Sequence, residues 1–290
     1  MTETQPFDLQ PTADGSYTFF SAEFNQAFHS HFGAKQEAEC KFVEPLQLRQ
    51  KAQNSSIYLL DICYGLGYNT AAALTAIWQT NPNCSVYWMG LELDEMVPQT
   101  AIAYDLLNDY PDPIAEYLTT LAKTHQLQTD KIQAKLLIGD ARLTLQEVYH
   151  SGFKADAVFL DPFSPPACPQ LWTVEFLTLL AQCLTPNGHL ATYVCSAPAR
   201  AALIAANLNI GSTTPVGRRT PGTIASFSTV GLTPLSTKEI EHLQTRAAIP
   251  YRDSNLSDSK ETILQRRQQE QQQSTLEPTT QWKKRWKGNG

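Results

Sequence analysis

Apolar and polar positions along the 290-residue chain fall into short apolar runs separated by amphipathic stretches. The runs IYLLDI (57–62), CSVYWMGLEL (84–93), AKLLIGD (134–140), ADAVFLD (155–161) and HLATYV (189–194) have the length and content of buried strands. Helical spacing fills the intervals: about 69–78, from near Glu95, through Val148, about 171–184 and about 197–208. Residues 108–134 contain two prolines and read as a helical insertion. Strands alternating with helices predict an α/β, Rossmann-like fold, with a mostly parallel sheet and helices on both faces. Short runs near 213–217 and 225–230 predict an antiparallel edge strand.

Before this alternation, residues 1–16 are polar and show no period, Tyr17–Phe20 is aromatic and strand-prone, and 34–48 has helical spacing at Ala38, Phe42, Val43 and Leu46. The expected organisation is an N-terminal extension or cap over 1–50, a main domain over 51–232, and a polar, partly basic, disordered tail over 233–290. The tail prediction rests on the low-complexity run RRQQEQQQ (266–273) and on eight Lys and Arg against five Asp and Glu over 252–290.

Composition narrows the function. The net charge of −6 gives no global attraction for nucleic acid, so RNA would need a local basic patch. The six cysteines are scattered, without CxxC or zinc-ligand spacing, so no metal is expected. MTETQPFDLQ does not read as a signal peptide, no apolar run reaches the ~18 residues of a membrane span, and unpaired cysteines suit a reducing compartment. A cytoplasmic location without membrane attachment is the expectation.

In open parallel sheets, ligands bind at the carboxyl ends of strands. The chemically informative residues sit there. In DICYGLGYNT (61–70), Gly65 and Gly67 let the backbone approach a ligand, Asp61 can receive an ammonium, and Asn69 opens the following helix. The spacing is not the G-x-G-x-x-G of dinucleotide binders. In GLELD (90–94), Glu92 can accept from both hydroxyls of a ribose. In GDAR (139–142), Asp140 can accept from an adenine amino group beside Ala141, or can simply cap a helix. Three carboxylates after successive strands match the methionine, ribose and adenine parts of S-adenosylmethionine. In FLDPFSPPACPQLW (159–172), Asp161 ends the fourth strand, prolines stiffen the loop, and Phe163 and Trp172 offer apolar walls for an amine substrate. The plainer alternative is an ordinary turn with both aromatics in the core.

The blocks FFSAEFNQAFHSHFGAKQEAECKFVEPL (19–46), DICYGLGYNT, GLELD, GDAR, DPFSPPACPQLWT (161–173) and GRRTPGTIAS (217–226) resemble the MnmC-like methyltransferase domain over about residues 17–232. The resemblance implies S-adenosylmethionine-dependent methylation of an aminomethyl group on tRNA wobble uridine, with the anticodon region as the partner surface. It implies that Asp161 and Phe163 frame the amine, that Ser21 and Glu23 lie near the pocket mouth, and that Arg218 and Arg219 contact RNA. The sequence departs from the family at Cys63, which stands where a glycine is common. It also lacks a second glycine-rich dinucleotide motif, so a separate enzyme would supply the aminomethyl precursor. Two other readings stay open: a small-molecule amine alkyltransferase taking a polyamine, and an inactive nucleoside-binding module.

Overall fold

The computed structural model describes residues 7–216 and 220–287. The chain opens with an antiparallel sheet of β1 (Asp8–Pro11), β2 (Tyr17–Ser21) and β3 (Gln26–Ala27). Next come α1 (Ala34–Ala38), a π-helical turn (Glu39–Val43) and α2 (Leu48–Lys51). The alternating region follows as β4 (Ser56–Ile62), α3 (Tyr68–Thr80), β5 (Ser85–Glu92), α4 (Met96–Ala103), α5 (Ile114–Thr124), β6 (Gln126–Gln128), β7 (Ile132–Ile138), α6 (Ala141–His150) and β8 (Ala155–Leu160). It continues through α7 (Val174–Gln182), β9 (Leu184–Thr192), α8 (Ala197–Ala205), β10 (Asn209–Ser212) and β11 (Thr223–Ser226). The chain then forms α9 (Thr237–Leu243), α10 (Lys260–Gln273) and α11 (Thr279–Lys287).

Eight strands form one sheet in the order β10-β11-β9-β8-β4-β5-β7-β6. The five strands read from the sequence pair in parallel, and antiparallel pairs close both edges. One edge is the expected hairpin, placed at 209–212 and 223–226. The other is β6, which lies inside the stretch read as wholly helical. Its three residues are too few to show a period. The TPNG stretch read as a turn is carried within β9, whose pairing with β8 shifts register between Ala155 and Ala157.

Alternation along each strand divides the core. Ile57, Leu59, Val86, Trp88 and Phe159 pack with α3, α5 and the N-terminal helical segment. Leu60, Ile62, Leu91, Val158 and Leu160 pack with α6, α7 and α8. The chain passes from β4 to β5 and β7 on one side, then crosses back to β8 and β9 on the other. The strand order therefore reverses between β4 and β8, where such folds open a crevice.

The C-terminal segment corrects the expectation of disorder. Residues 260–273 and 279–287 are helical, and the side chains of Asp253 and Ile263 are fully buried. Polar anchors hold this segment. Arg142 donates to Asp253 Oδ2 at 3.0 Å and to the Asp258 carbonyl at 2.9 Å, while Asp253 Oδ1 accepts from the amides of Ser257 and Asp258. Arg267 caps the carbonyls of Ile249 and Ala247. A glutamine-rich helix pinned by one isoleucine and several arginines has no apolar stripe, so composition alone misreads it. Asp253→Ala would leave the guanidinium of Arg142 short of a partner and two amides without an acceptor. We expect a loss of about 3 kcal/mol in urea unfolding, whereas a loose tail would leave the midpoint unchanged.

Candidate active site

A cavity of about 780 Å³ opens at the carboxyl ends of β4, β5, β7 and β8. A smaller groove of about 530 Å³, lined by Tyr58, Tyr87 and Phe153, lies on the sheet surface and carries none of the carboxylates discussed above.

The turn after β4 forms the base of the cavity. Cys63, Gly65 and Gly67 have φ of 67°, 59° and 86°. The cysteine at the position expected for glycine thus adopts the same left-handed backbone, and the turn is kept despite the departure. A Cβ on Gly67 would lie 2.7 Å from Tyr64 Oη, so the turn packs too tightly there for a side chain. Gly65 donates its N–H to Glu92 Oε2 at 2.8 Å, while Leu93 and Asp94 donate to Oε1 at 2.8 and 3.1 Å. Burial pushes the pKa of Glu92 up against these three donors.

Asp61 sits behind the turn rather than on the cavity wall. Thr70 donates to its Oδ2 at 2.7 Å, and Trp88 Nε1 donates to the Thr70 hydroxyl at 3.0 Å, which fixes the direction of that O–H. Among the described residues Asp61 Oδ1 has no hydrogen-bond partner. Burial raises its carboxyl to about 7. Asp140 lines the cavity and also caps α6, accepting from the amide and guanidinium of Arg142. The capping reading of Asp140 is borne out, and the same side chain faces the cavity. Burial opposes its charge, but the hydrogen bonds from Arg142 prevail and hold the carboxyl below its usual range.

Across the β4–β8 reversal, Asp161 accepts from Asn69 Nδ2 at 2.8 Å, and burial pushes its carboxyl up to about 8. Phe163 stacks on Phe24 with centroids 4.4 Å apart and meets Phe28 edge-on at 5.1 Å. Gln26 clasps the same loop, donating to Ser164 Oγ at 2.6 Å and accepting from the Ser164 amide at 3.1 Å. The N-terminal hairpin thus covers the cavity, with Ser21 buried and Glu23 exposed in its lining. Trp172 corrects the expectation of a substrate wall: it is fully buried in the core, and its Nε1 supports the loop through the Phe163 carbonyl at 2.9 Å. Arg218 and Arg219 lie outside the described residues.

The N-terminal segment also brings in polar residues that the sequence reading passed over. Glu37 and Lys41 form a buried ion pair at 2.5 Å on the cavity wall. Ser30 donates its hydroxyl to Glu37 Oε1 at 2.5 Å and its amide to Oε2 at 3.2 Å. Burial opposes the charge of Glu37, yet Lys41 and Ser30 lower its pKa. His29 lines the same wall, and burial lowers its pKa to about 4, so it is neutral near pH 7. Among the described residues its Nδ1 has no partner. The i, i+4 spacing of Glu37 and Lys41 was visible, but such a pair reads as a solvated helix face until its neighbours are known.

Among the described residues no group of three His, Cys, Asp or Glu could hold a metal, and no helix is long and apolar enough to cross a membrane. A Rossmann-like sheet with this crevice and these acidic strand ends defines a class I S-adenosylmethionine-dependent methyltransferase. A family model described as S-adenosyl-L-methionine-dependent methyltransferase matches residues 107–228. The structure is similar to MnmC2 from Aquifex aeolicus, with a TM-score of 0.82 and 32% identity, covering 94% of this chain and 87% of that one. An uncharacterized protein of Methanocaldococcus jannaschii is 30% identical over 273 residues, 90% of this chain and 71% of its own length. The tRNA 5-methylaminomethyl-2-thiouridine biosynthesis bifunctional proteins of Acidovorax sp. and Aromatoleum aromaticum are 28% and 29% identical over 64% and 70% of this chain. The chain spans only about a third of their length, 30% and 33%. It belongs to the MnmC-like methyltransferase family.

Glu92→Ala would leave three amides without their acceptor and loosen the glycine turn. Calorimetric titration with S-adenosylmethionine should show affinity lower by about 10-fold or more. Unchanged affinity would remove Glu92 from the site.

Proposed function

We propose that the chain binds S-adenosylmethionine in this cavity and methylates an aminomethyl group on the wobble uridine of tRNA. The observation that carries the reading is Asp161: a carboxyl with a pKa raised to about 8, beside an aromatic clamp, at the reversal of strand order.

The lining suits the donor. Glu92 would accept from a ribose hydroxyl with the one acceptor site that its three amides leave free, and Asp140, beside Ala141, would accept from the adenine amine. Gly65 keeps that wall free of side chains. Behind it, the unpartnered Asp61 Oδ1 is an acceptor for the donor's ammonium, reached through a water or a small shift of the turn. When bound, the donor supplies an electrophilic methyl group whose sulfur departs with the bonding electrons.

The protein must supply a neutral, aligned amine. Near pH 7 an aminomethyl group is an ammonium and has no lone pair to offer. Asp161 with a pKa near 8 is matched to take that proton, since a general base works best with a pKa near the operating pH. Asn69 fixes the carboxyl through Oδ2, and Phe163, held between Phe24 and Phe28, gives a flat surface against which a base can lie.

The names of the bifunctional relatives support tRNA as the substrate, and so do the exposed Lys283, Lys284 and Lys287 of α11. The neighbouring tryptophans have local structural roles: His242 stacks on Trp282 at 4.1 Å, and Trp286 donates to Glu241.

The assay offers tRNA carrying 5-aminomethyl-2-thiouridine and follows its nucleosides by mass spectrometry. One added methyl group per modified uridine is expected. Methylation of polyamines but not tRNA would refute the proposal. Asp161→Asn should lower kcat by about 10²-fold or more while leaving donor affinity within about 3-fold. Because the base must be ionised, kcat of the wild type should rise with pH up to about 8 and then level off. Asp161→Asn should lack that rise.

A further inference from the structure

An α-carboxylate entering this cavity meets a wall rich in acids, among them Glu23, Glu37, Glu92, Asp94, Asp140 and Asp161. Among the described residues Lys41 is the only lysine or arginine in the lining. His29 on the same wall is neutral near pH 7 and adds no positive charge.

Lys41 is where it is for a local reason. It lies in the π-helical turn, one helical turn beyond Glu37, so both side chains leave the same face. Lysine is seldom buried, because its ammonium loses hydration unless it is paired. Glu37 meets that need but uses one of three N–H donors. Glu37 is in turn committed, with Ser30 donating to both of its oxygens. The pair is therefore a held cation with donor capacity to spare, on the wall that also carries Asp161. The ribose and adenine acceptors, Glu92 and Asp140, follow β5 and β7 on the other side of β4. That leaves the methionine half of the donor beside Lys41.

We propose that Lys41 is the counter-charge for the α-carboxylate of the donor's methionine half, and that Glu37 and Ser30 are the positioning residues that hold it there. The assignment rests on the cavity being the S-adenosylmethionine site. It makes the N-terminal segment part of donor recognition, and it makes Lys41 the residue that selects a carboxylated donor over a decarboxylated one.

The test titrates the full chain by calorimetry with S-adenosylmethionine and with decarboxylated S-adenosylmethionine, which differ only in the carboxylate. The wild type should bind the carboxylated donor about 10- to 100-fold more tightly, as expected of a charge-assisted hydrogen bond. Lys41→Met should erase that preference, weakening the carboxylated donor by the same factor and changing the other by less than about 3-fold. Lys41→Arg should restore part of it. Since Lys41→Met strands the Glu37 carboxylate, the double variant Glu37→Gln/Lys41→Met serves as the second test and should show the same lost preference without a buried lone charge. If both variants keep the wild-type ratio of affinities, or weaken the two donors equally, Lys41 has a structural role only and the assignment fails. A wild type that binds neither donor would instead overturn the donor site itself, and this assignment with it.

Discussion

Desolvation of carboxyl groups at the carboxyl ends of β4, β5, β7 and β8 is the constraint around which this fold is arranged. An ionised carboxylate is costly to bury without donors. The protein meets that cost differently at each position. Glu92 receives three backbone amides, Asp140 receives a guanidinium, and Asp61 and Asp161 each receive one neutral donor and are pushed toward neutrality. The resulting spread of proton affinities separates Asp140, held ionised, from Asp61 and Asp161, which burial moves into the neutral pH range.

The strand pattern makes the main features legible before any coordinates. Short apolar runs give the five parallel strands, and their ends give Glu92, Asp140 and Asp161 together with Gly65 and Asn69. Trp172 is less legible, because an aromatic flanking a proline-rich loop reads equally as wall or as core. Its indole N–H bond to the Phe163 carbonyl, which settles the matter, is a tertiary contact.

Two regions lie beyond local pattern. Glu37 and Lys41 look like ordinary surface charges until the hairpin and the loop after β8 close over them. The C-terminal helices carry almost no apolar period and are held by Arg142, Arg266 and Arg267 acting on carboxylates and carbonyls. In both, specificity comes from polar pairs, and hydrophobic periodicity does not report these. The same Arg142 that holds Asp253 also holds the cavity-lining carboxylate Asp140, so the C-terminal segment buttresses the cavity.

The clasp between Gln26 and Ser164 joins residues 138 positions apart. The hairpin that covers the cavity is synthesised before the loop it grips, which follows 138 positions later. Contacts of such long sequence separation form slowly, because loop closure must precede them. The sheet can assemble strand by strand while the hairpin waits, so the pocket takes its final shape late in folding, when the hairpin docks onto the loop after β8.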